Sequence, residues 1–169
     1  MNLLDFIKTR RSIRKFSEME VSDKQIEEIL TAGMYAPSAA NQQPWQFIVI
    51  REKSTFQNIQ KFHPFSQMLS QAKVVILVCG DSSLETKPGY WPIDCSAATQ
   101  NMLLAAHGLG LGAVWLGIYP VPDRQQGMIN LFSLPENIHP FSLIAIGYPA
   151  EEKKMPERYK PERIHIEKW

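Results

Sequence analysis

The chain has 169 residues, of which 44% are hydrophobic, and its 18 Lys and Arg residues are almost balanced by 17 Asp and Glu residues. This length and hydrophobic content predict a single domain over residues 1–169 with a substantial core. The near-neutral charge excludes the broad positive field of a nucleic-acid-binding protein. Two cysteines are too few for a disulfide framework. The apolar stretches are too short to span a bilayer, so we expect a cytosolic protein without a membrane partner.

Capping signals and apolar spacing predict several helices. Ser22 followed by Gln25 is typical of a capping box, and apolar residues at helical spacing follow it. Ser54 and Gln57 repeat this pattern and predict a second capped helix. Further helical segments are predicted at Leu3 to Thr9, Ala97 to Ala106 and Met128 to Phe132.

Runs of apolar residues predict the strands. The segment from Val74 to Val78 lacks polar alternation, which indicates a strand covered on both faces. Further strands are predicted at Phe47 to Ile50, Ala113 to Leu116 and Phe141 to Ile146. Short strands divided by helices predict an α+β layered sandwich.

The helix predicted from Ala97 to Ala106 is apolar nearly all round in its second half. Such a surface indicates burial against both its own domain and a second subunit. Tyr90, Trp91 and Pro92 are predicted to form a turn-rich segment before this helix. Gly108 is interpreted as its C-cap, and His107 as a favourable partner of the helix dipole.

A proline-bounded polar loop precedes the first predicted strand. Pro37 and Pro44 favour a stiff, extended backbone. Ser38, Asn41 and Gln43 offer hydroxyl and amide groups that both donate and accept hydrogen bonds, as a flat heterocycle with N–H and C=O edges requires. The segment is equally compatible with an ordinary polar turn that leads into the strand.

A basic run follows the first predicted helix. Arg10, Arg11, Arg14 and Lys15 surround the hydroxyl of Ser12. Guanidinium groups match the oxygens of a phosphate, so the run could hold a phosphomonoester. The alternative is that these cations complement the negative end of the preceding helix on a solvated surface.

Together the two segments resemble the nitroreductase family of FMN-dependent oxidoreductases. The matching motifs occur in order at Arg10 to Lys15, Pro37 to Trp45, Asp94 to Ala106, Gly108 to Gly117 and Ile146 to Pro149. The resemblance implies a homodimeric layered sandwich whose central, mainly antiparallel sheet is flanked by helices. It also implies FMN as the cofactor, with two subunits building each flavin site.

The resemblance implies a role for particular residues. The residues expected around the phosphate of FMN, at what is called the phosphate end of the site, are Arg10, Arg11, Ser12, Arg14 and Arg158. Those expected around the ring are Pro37, Ser38, Ala39, Asn41, Gln43, Leu116 and Gly117, with a backbone N–H of the last pair near the reactive edge. Lys160 and Arg163 remain alternatives to Arg158, and this charged tail is equally compatible with a solvated surface.

The implied activity is transfer of reducing equivalents from NADH or NADPH to an electron-poor acceptor, such as a nitroaromatic compound or a quinone. Hydride chemistry would belong to the flavin, so no catalytic side chain is predicted. A single small domain has little room for two substrates side by side, so NAD(P)H and the acceptor are expected to occupy one pocket in turn. This order of binding predicts ping-pong kinetics. The same fold also supports reductive dehalogenation, flavin fragmentation and heterocycle dehydrogenation, and a non-catalytic flavin-binding protein is a further alternative. Scattered histidines predict no metal site.

Overall fold

A computed structural model describes residues 2–169 as a four-stranded sheet with helices on both faces. The strands are β1 (Trp45–Ile50), β2 (Val74–Asp81), β3 (Gly112–Gly117) and β4 (Ile138–Gly147). Their order across the sheet is β1-β2-β4-β3, and every neighbouring pair is antiparallel. The helices are α1 (Leu3–Thr9), α2 (Asp23–Met34), α3 (Lys53–Gln60), α4 (Trp91–Gly108) and α5 (Pro122–Phe132). The predicted α+β sandwich with an antiparallel sheet is confirmed.

The alternation of side chains along β2 divides the core into two layers. One layer contains Ile76 of the sheet, Ile29 of α2 and Met102 of α4, all fully buried. The other contains Leu77 of the sheet and Ile59 of α3, together with residues of α5. All eight residues of β2 are buried, as its continuous apolar run predicted.

The capping prediction is confirmed for α2 and wrong for α3. Ser22 Oγ accepts the Gln25 N–H at 3.3 Å, and Gln25 Oε1 accepts the Ser22 N–H at 3.0 Å. In α3, however, the N-cap is Glu52, whose side chain makes no capping bond. Because this helix starts at Lys53, Ser54 already has helical backbone geometry and cannot occupy the capping position.

The helix α4 begins six residues earlier than the sequence pattern predicted, at Trp91. The turn predicted at Trp91 and Pro92 is therefore wrong. Proline is well suited to the first turn of a helix, because its missing N–H would have no helical partner there. A carboxylate oxygen of Glu85 accepts the Trp91 N–H at 2.9 Å and satisfies one of the exposed helix donors.

The end of α4 also differs from the sequence interpretation. Gly108 is the last helical residue, Leu109 is the C-cap, and it is Gly110 that has the left-handed φ of 74°. His107 Nε2 lies 3.0 Å from Thr9 Oγ1, and its ring lies against Phe6. His107 lies in the last turn of α4, as predicted. Burial and then the charges of the neighbouring arginines lower the pKa of His107.

The apolar circumference of α4 is used mainly within the protomer. Ala98, Met102, Leu103 and Ala106 are buried in the core beneath the sheet, and further alanines of the helix pack at its margin. Such packing explains the apolar pattern without a second subunit. The apolar pattern of α4 therefore supports a partner surface less strongly than the sequence alone indicated.

Among residues 2–169, no helix is both long and apolar enough to cross a membrane. The same residues contain no cluster of His, Cys, Asp or Glu that could hold a metal ion. Cys79 and Cys95 are buried and free. Burial raises the pKa of the Cys79 thiol to about 12, so this side chain remains a neutral part of the core.

Candidate cofactor site

The candidate site lies near the free edge of β3. The chain leaves α1 and runs beside this edge, where Ser12 and Ala113 form a parallel bridge. The Ile13 N–H donates to the Ala113 carbonyl at 3.0 Å. These contacts bring Arg10 and Arg11 to the start of an edge strand whose far end is Gly117.

A cationic cavity of about 570 Å³ lies between the end of α1 and the C-terminal tail. Arg10, Arg11 and Arg158, three of the residues predicted at the phosphate end, line it together with Lys8 and Glu157, and neither Lys160 nor Arg163 is among its lining residues. Burial, then the charges of Arg11 and Arg158, lower the pKa of Arg10. The three guanidinium groups therefore repel one another, and a bound anion would relieve that repulsion.

Arg11 combines the two roles that the sequence left open. Its terminal nitrogens donate to the carbonyls of Arg10, at 2.6 Å, and Lys8, so it satisfies the carbonyl end of α1. Its Nε is buried without a hydrogen-bond partner among the described residues. A buried unpaired donor next to two further arginines is the kind of group that an anionic ligand satisfies.

The tail holds the basic run in place. Glu151 Oε1 accepts the Arg14 N–H at 2.6 Å and the Lys15 N–H at 3.3 Å. The first of these bonds is the main cause that lowers the pKa of Glu151. Lys153 Nζ donates to the Ser12 carbonyl at 2.6 Å and pairs with Glu151 at 3.2 Å. This acid–base pair and its partners at residues 12, 14 and 15 leave no pattern in the sequence, because only folding brings residues this far apart together.

A second cavity, of about 300 Å³, lies at the far end of β3. Arg14, Leu116 and Gly117 line it together with residues of the segment that follows α3. The structure thus groups Arg14 with the predicted ring residues, whereas Arg10 and Arg158 line the other cavity. The basic run therefore divides between the two ends of the strand.

The Gly117 carbonyl is held by two side chains that the sequence analysis did not select. Arg124 Nη1 donates to it at 2.9 Å, and His63 Nε2 lies 3.1 Å from it. His63 Nδ1 accepts the Phe65 N–H at 3.3 Å, which assigns the proton of a neutral ring to Nε2. Burial is the main cause that lowers the pKa of His63, in agreement with a neutral ring.

The N–H of Gly117 faces the free edge of β3. The Ile118 N–H donates to the Phe141 carbonyl at 3.2 Å, and bonded pairs alternate along an antiparallel ladder. The alternate residue Gly117 therefore directs its own N–H away from β4. No heavy atom lies within 4 Å of the position that a Cβ would take at Gly117. A planar ligand could approach this N–H closely.

The 37–43 loop forms a compact turn and is not the extended segment predicted. A short 3₁₀ turn covers Ala39–Asn41, and Ala40, Asn41 and Gln43 have left-handed φ angles of 49°, 55° and 48°. Ser38 Oγ accepts the Gln43 N–H at 3.0 Å, and Asn41 Oδ1 accepts Gln43 Nε2 at 3.0 Å. These local bonds stabilise a conformation that proline stiffness alone could not predict.

The base of the 37–43 loop is bonded to α4. Asp94 Oδ1 accepts the Ala39 N–H at 2.9 Å, and Asp94 Oδ2 accepts Gln42 Nε2 at 2.7 Å. Neither Gln42 nor Asp94 was predicted to have a role, although Gln42 stands between the predicted ring residues Asn41 and Gln43. None of the described cavities at β3 has a lining residue from this loop. The predicted ring residues therefore fall into two separate groups within one protomer.

Comparisons with known proteins agree with this architecture. The sequence profile of the nitroreductase family matches residues 7–63 and 57–148. A protein of Methanothermobacter thermautotrophicus, provisionally named an NADH dehydrogenase/NAD(P)H nitroreductase, is 53% identical over 169 residues, covering 100% of this chain and 88% of the relative. A Parabacteroides distasonis crystal structure with the same provisional name has a TM-score of 0.94 at 37% identity, and the match covers 98% of each chain.

One similar crystal structure contains a ligand. A provisionally named nitroreductase of Desulfovibrio desulfuricans, crystallised in complex with FMN, has a TM-score of 0.87 and 35% identity. The match covers 100% of this chain and 99% of that protein. The superpositions extend over nearly the whole described chain and support the predicted fold.

Proposed function

Because this chain belongs to the nitroreductase family, we propose that it binds FMN and passes reducing equivalents from NAD(P)H to an electron-poor acceptor, such as a nitroaromatic compound or a quinone. The observation that carries the proposal is a pair of cavities: a cationic one between α1 and the tail, where the chain leads to the start of β3, and one beside Leu116 and Gly117 at the end of that strand. The names of the relatives, one of which was crystallised with FMN, support the same cofactor and electron donor.

The cationic cavity fits the phosphate of FMN. Arg10, Arg11 and Arg158 supply several donors, and the buried Arg11 Nε has no partner among residues 2–169. A phosphomonoester carries close to two negative charges and three strong acceptors, which match this set. Ser12 follows Arg11 in the chain, and we assign it to the same end because the resemblance implies it.

The opposite end of the edge fits the flavin ring. Ala113 and Gly117 are four positions apart, which is roughly 14 Å along a strand, so the ligand must be elongated. The Gly117 N–H is the donor expected at the reactive edge of the ring, and Leu116 lies beside it. Bound FMN would supply the hydride chemistry, whereas the protein binds the phosphate, orients the ring and admits substrates. We assign Arg14 to this end.

The remaining ring residues would come from a second subunit. Pro37, Ser38, Ala39, Asn41 and Gln43 line no cavity with Gly117 in their own protomer. A homodimer in which each 37–43 loop covers the partner's ring would complete the site. Exposed apolar side chains on α1 and on the tail support such an interface: Leu3, Leu4, Ile164, Ile166 and Trp169.

The reaction is tested by anaerobic mixing and by steady-state kinetics. We expect NADH or NADPH to bleach the visible absorption of the bound flavin, and an added quinone to restore it. Since both substrates must reach the same edge of one ring, initial rates should give parallel double-reciprocal lines. Intersecting lines would reject the single shared pocket, and failure of both nucleotides to bleach the flavin would reject the proposed activity.

The dimer is tested by sedimentation at micromolar concentration. Ile166 is 85% exposed and Trp169 is 102% exposed in the protomer, so replacing both with Asp removes no core packing and only the stacking of Trp169 on His165 in the tail. We expect the wild type to sediment as a dimer, and the double variant to shift towards monomer and to lose FMN. Replacing Met19, which is also exposed but lies on another segment, with Asp is the control. A wild-type monomer loaded with FMN would contradict the shared site.

A further inference from the structure

We propose that Asp94 and Gln42 form a buried positioning pair that sets the shape of the 37–43 loop for contact with the flavin ring. This inference rests on the proposed function, because it assigns the pair a role in FMN binding. Neither residue is expected to touch the cofactor. Both act through the loop residues that they hold.

The pair is almost fully enclosed. The exposed fraction is 3% for Asp94 and 9% for Gln42. The two oxygens of Asp94 accept from the Ala39 N–H and from Gln42 Nε2, at 2.9 and 2.7 Å. Asp94 also lies in the first turn of α4, where the helix dipole favours a negative charge. Two hydrogen bonds and the helix dipole therefore stabilise this buried carboxylate.

The orientation of the Gln42 amide is determined from its other end. Gln42 Oε1 accepts the N–H groups of Thr86 and Lys87, each at 3.0 Å. Reversing the amide would direct its NH₂ group at these two donors and its oxygen at the carboxylate. The hydrogen bonds consequently run in one direction, from residues 86 and 87 through Gln42 to Asp94.

This arrangement acts on the strained part of the loop. Asp94 bonds to residues on either side of Ala40 and Asn41, both of which have left-handed backbone angles. Such angles are unfavourable for alanine and persist only when the surroundings hold them. Gln42 is buried, whereas Asn41 and Gln43 are exposed. The loop thus alternates an anchoring residue with residues available to a ligand.

The pairing predicts that two substitutions, each harmful alone, compensate for each other when combined. Asp94→Asn leaves one acceptor for two donors, so its NH₂ group must face either the Ala39 N–H or the NH₂ group of Gln42. Gln42 cannot reverse because of Thr86 and Lys87. Gln42→Glu places two carboxylates at the 2.7 Å contact. The double variant D94N/Q42E moves the carboxylate to position 42, where it can accept from the amide at position 94 and from both backbone donors. It restores every hydrogen bond with the charge unchanged.

Binding of FMN and riboflavin by the purified protein separates positioning from general stability. Because the loop would contact the ring, each single variant should bind both flavins at least about tenfold more weakly. The double variant should recover to within about threefold of the wild type. Thr99→Val is the matched control, because Thr99 lies on the same helix as Asp94 but makes its buried hydrogen bond to Ser142 of β4, in the sheet. It should lower the Tm and leave both affinities unchanged.

The outcomes distinguish this inference from the proposed function. A wild-type protein that binds no flavin would overturn both. Wild-type binding together with unaltered affinity in both single variants would overturn the positioning pair alone, as would a double variant that binds no better than the singles. If the singles do not fold, recovery of folding and binding in the double variant supports the pair, and an unfolded double variant overturns it.

Discussion

The two ends of the proposed flavin site are built on opposite principles. At the phosphate end Arg10, Arg11 and Arg158 repel one another, and a buried donor of Arg11 has no partner among the described residues. In the 37–43 loop, by contrast, Asp94 and Gln42 satisfy their donors and acceptors within the protein. The first region gains most from the ligand, whereas the second is preorganised by the fold.

The largest expected effect tests the phosphate end. Replacing Arg10 and Arg158 with Ala removes two charge-assisted contacts, each worth roughly 1.5 to 3 kcal/mol. FMN affinity, measured by fluorescence titration, should therefore fall roughly 10² to 10⁴-fold, whereas riboflavin affinity should change by less than about threefold. Lys61→Ala, which removes an exposed cation elsewhere, is the control. Equal losses for both flavins would contradict the assignment of these arginines to phosphate.

A smaller effect is expected from the lowered pKa of His107, which lies near the arginines of the phosphate end. His107 shares a cavity with Arg10 and Arg11, and its pKa is lowered by burial and by those charges. The residues Glu151, Glu152 and Lys153 face the same cavity. Because the unfolded chain binds the proton more readily, stability should fall as the pH decreases below about 6.5 towards the lower pKa of the folded state.

The His107→Gln variant isolates this contribution. One histidine contributes at most about 1.4 kcal/mol per pH unit to the slope of unfolding free energy. The variant should show a shallower slope between about pH 5 and 7 in urea titrations of the FMN-free protein. His63→Gln is the parallel variant, because burial also lowers the pKa of that residue. An unchanged slope in H107Q would show that the pKa of His107 is not lowered in the folded protein.

The smallest expected effect tests the preorganised loop. Ala40 has a φ of 49°, so Ala40→Gly removes a steric cost of roughly 1 to 2 kcal/mol but increases the entropy of the unfolded chain by a similar amount. We expect a net stabilisation below about 1 kcal/mol, measured by urea unfolding, and FMN affinity reduced only a few-fold. Ala32→Gly, in the regular helix α2, should instead destabilise by about 1 kcal/mol. Equal destabilisation by both variants would contradict strain at Ala40.

Local signals predicted the parts of the fold that neighbouring residues determine. The bounds of α1 and the capping box at Ser22 depend on residues within one helical turn, and both predictions are confirmed. The start of α4 was missed because the partner of its first N–H is Glu85, in a loop outside the helical pattern. The shape of the 37–43 loop was missed because it depends on Asp94, which is 52 positions from Gln42.

In the candidate site, too, some residues could be predicted from the sequence, whereas those that meet only in the folded protein could not. The resemblance brought Arg10 and Arg158 into one prediction, and the structure places both in one cavity. It gave no indication of Arg124 and His63, which meet at a backbone carbonyl and therefore leave no pattern of their own in the sequence. The basic run and the resemblance grouped Arg14 with the phosphate residues, although it lines the cavity at the other end of β3.

The free edge of β3 has a consequence for solubility. Unpaired N–H and C=O groups on an edge strand are a template for pairing with another chain, and hence for aggregation. Near Ala113 the edge is covered by Ile13, and at the Gly117 carbonyl it is covered by Arg124, but the Gly117 N–H faces outward. A flavin lying along this edge would close the remaining gap. We therefore expect bound FMN to increase the solubility of the protein. Protein without FMN should aggregate at lower concentrations than protein with FMN bound.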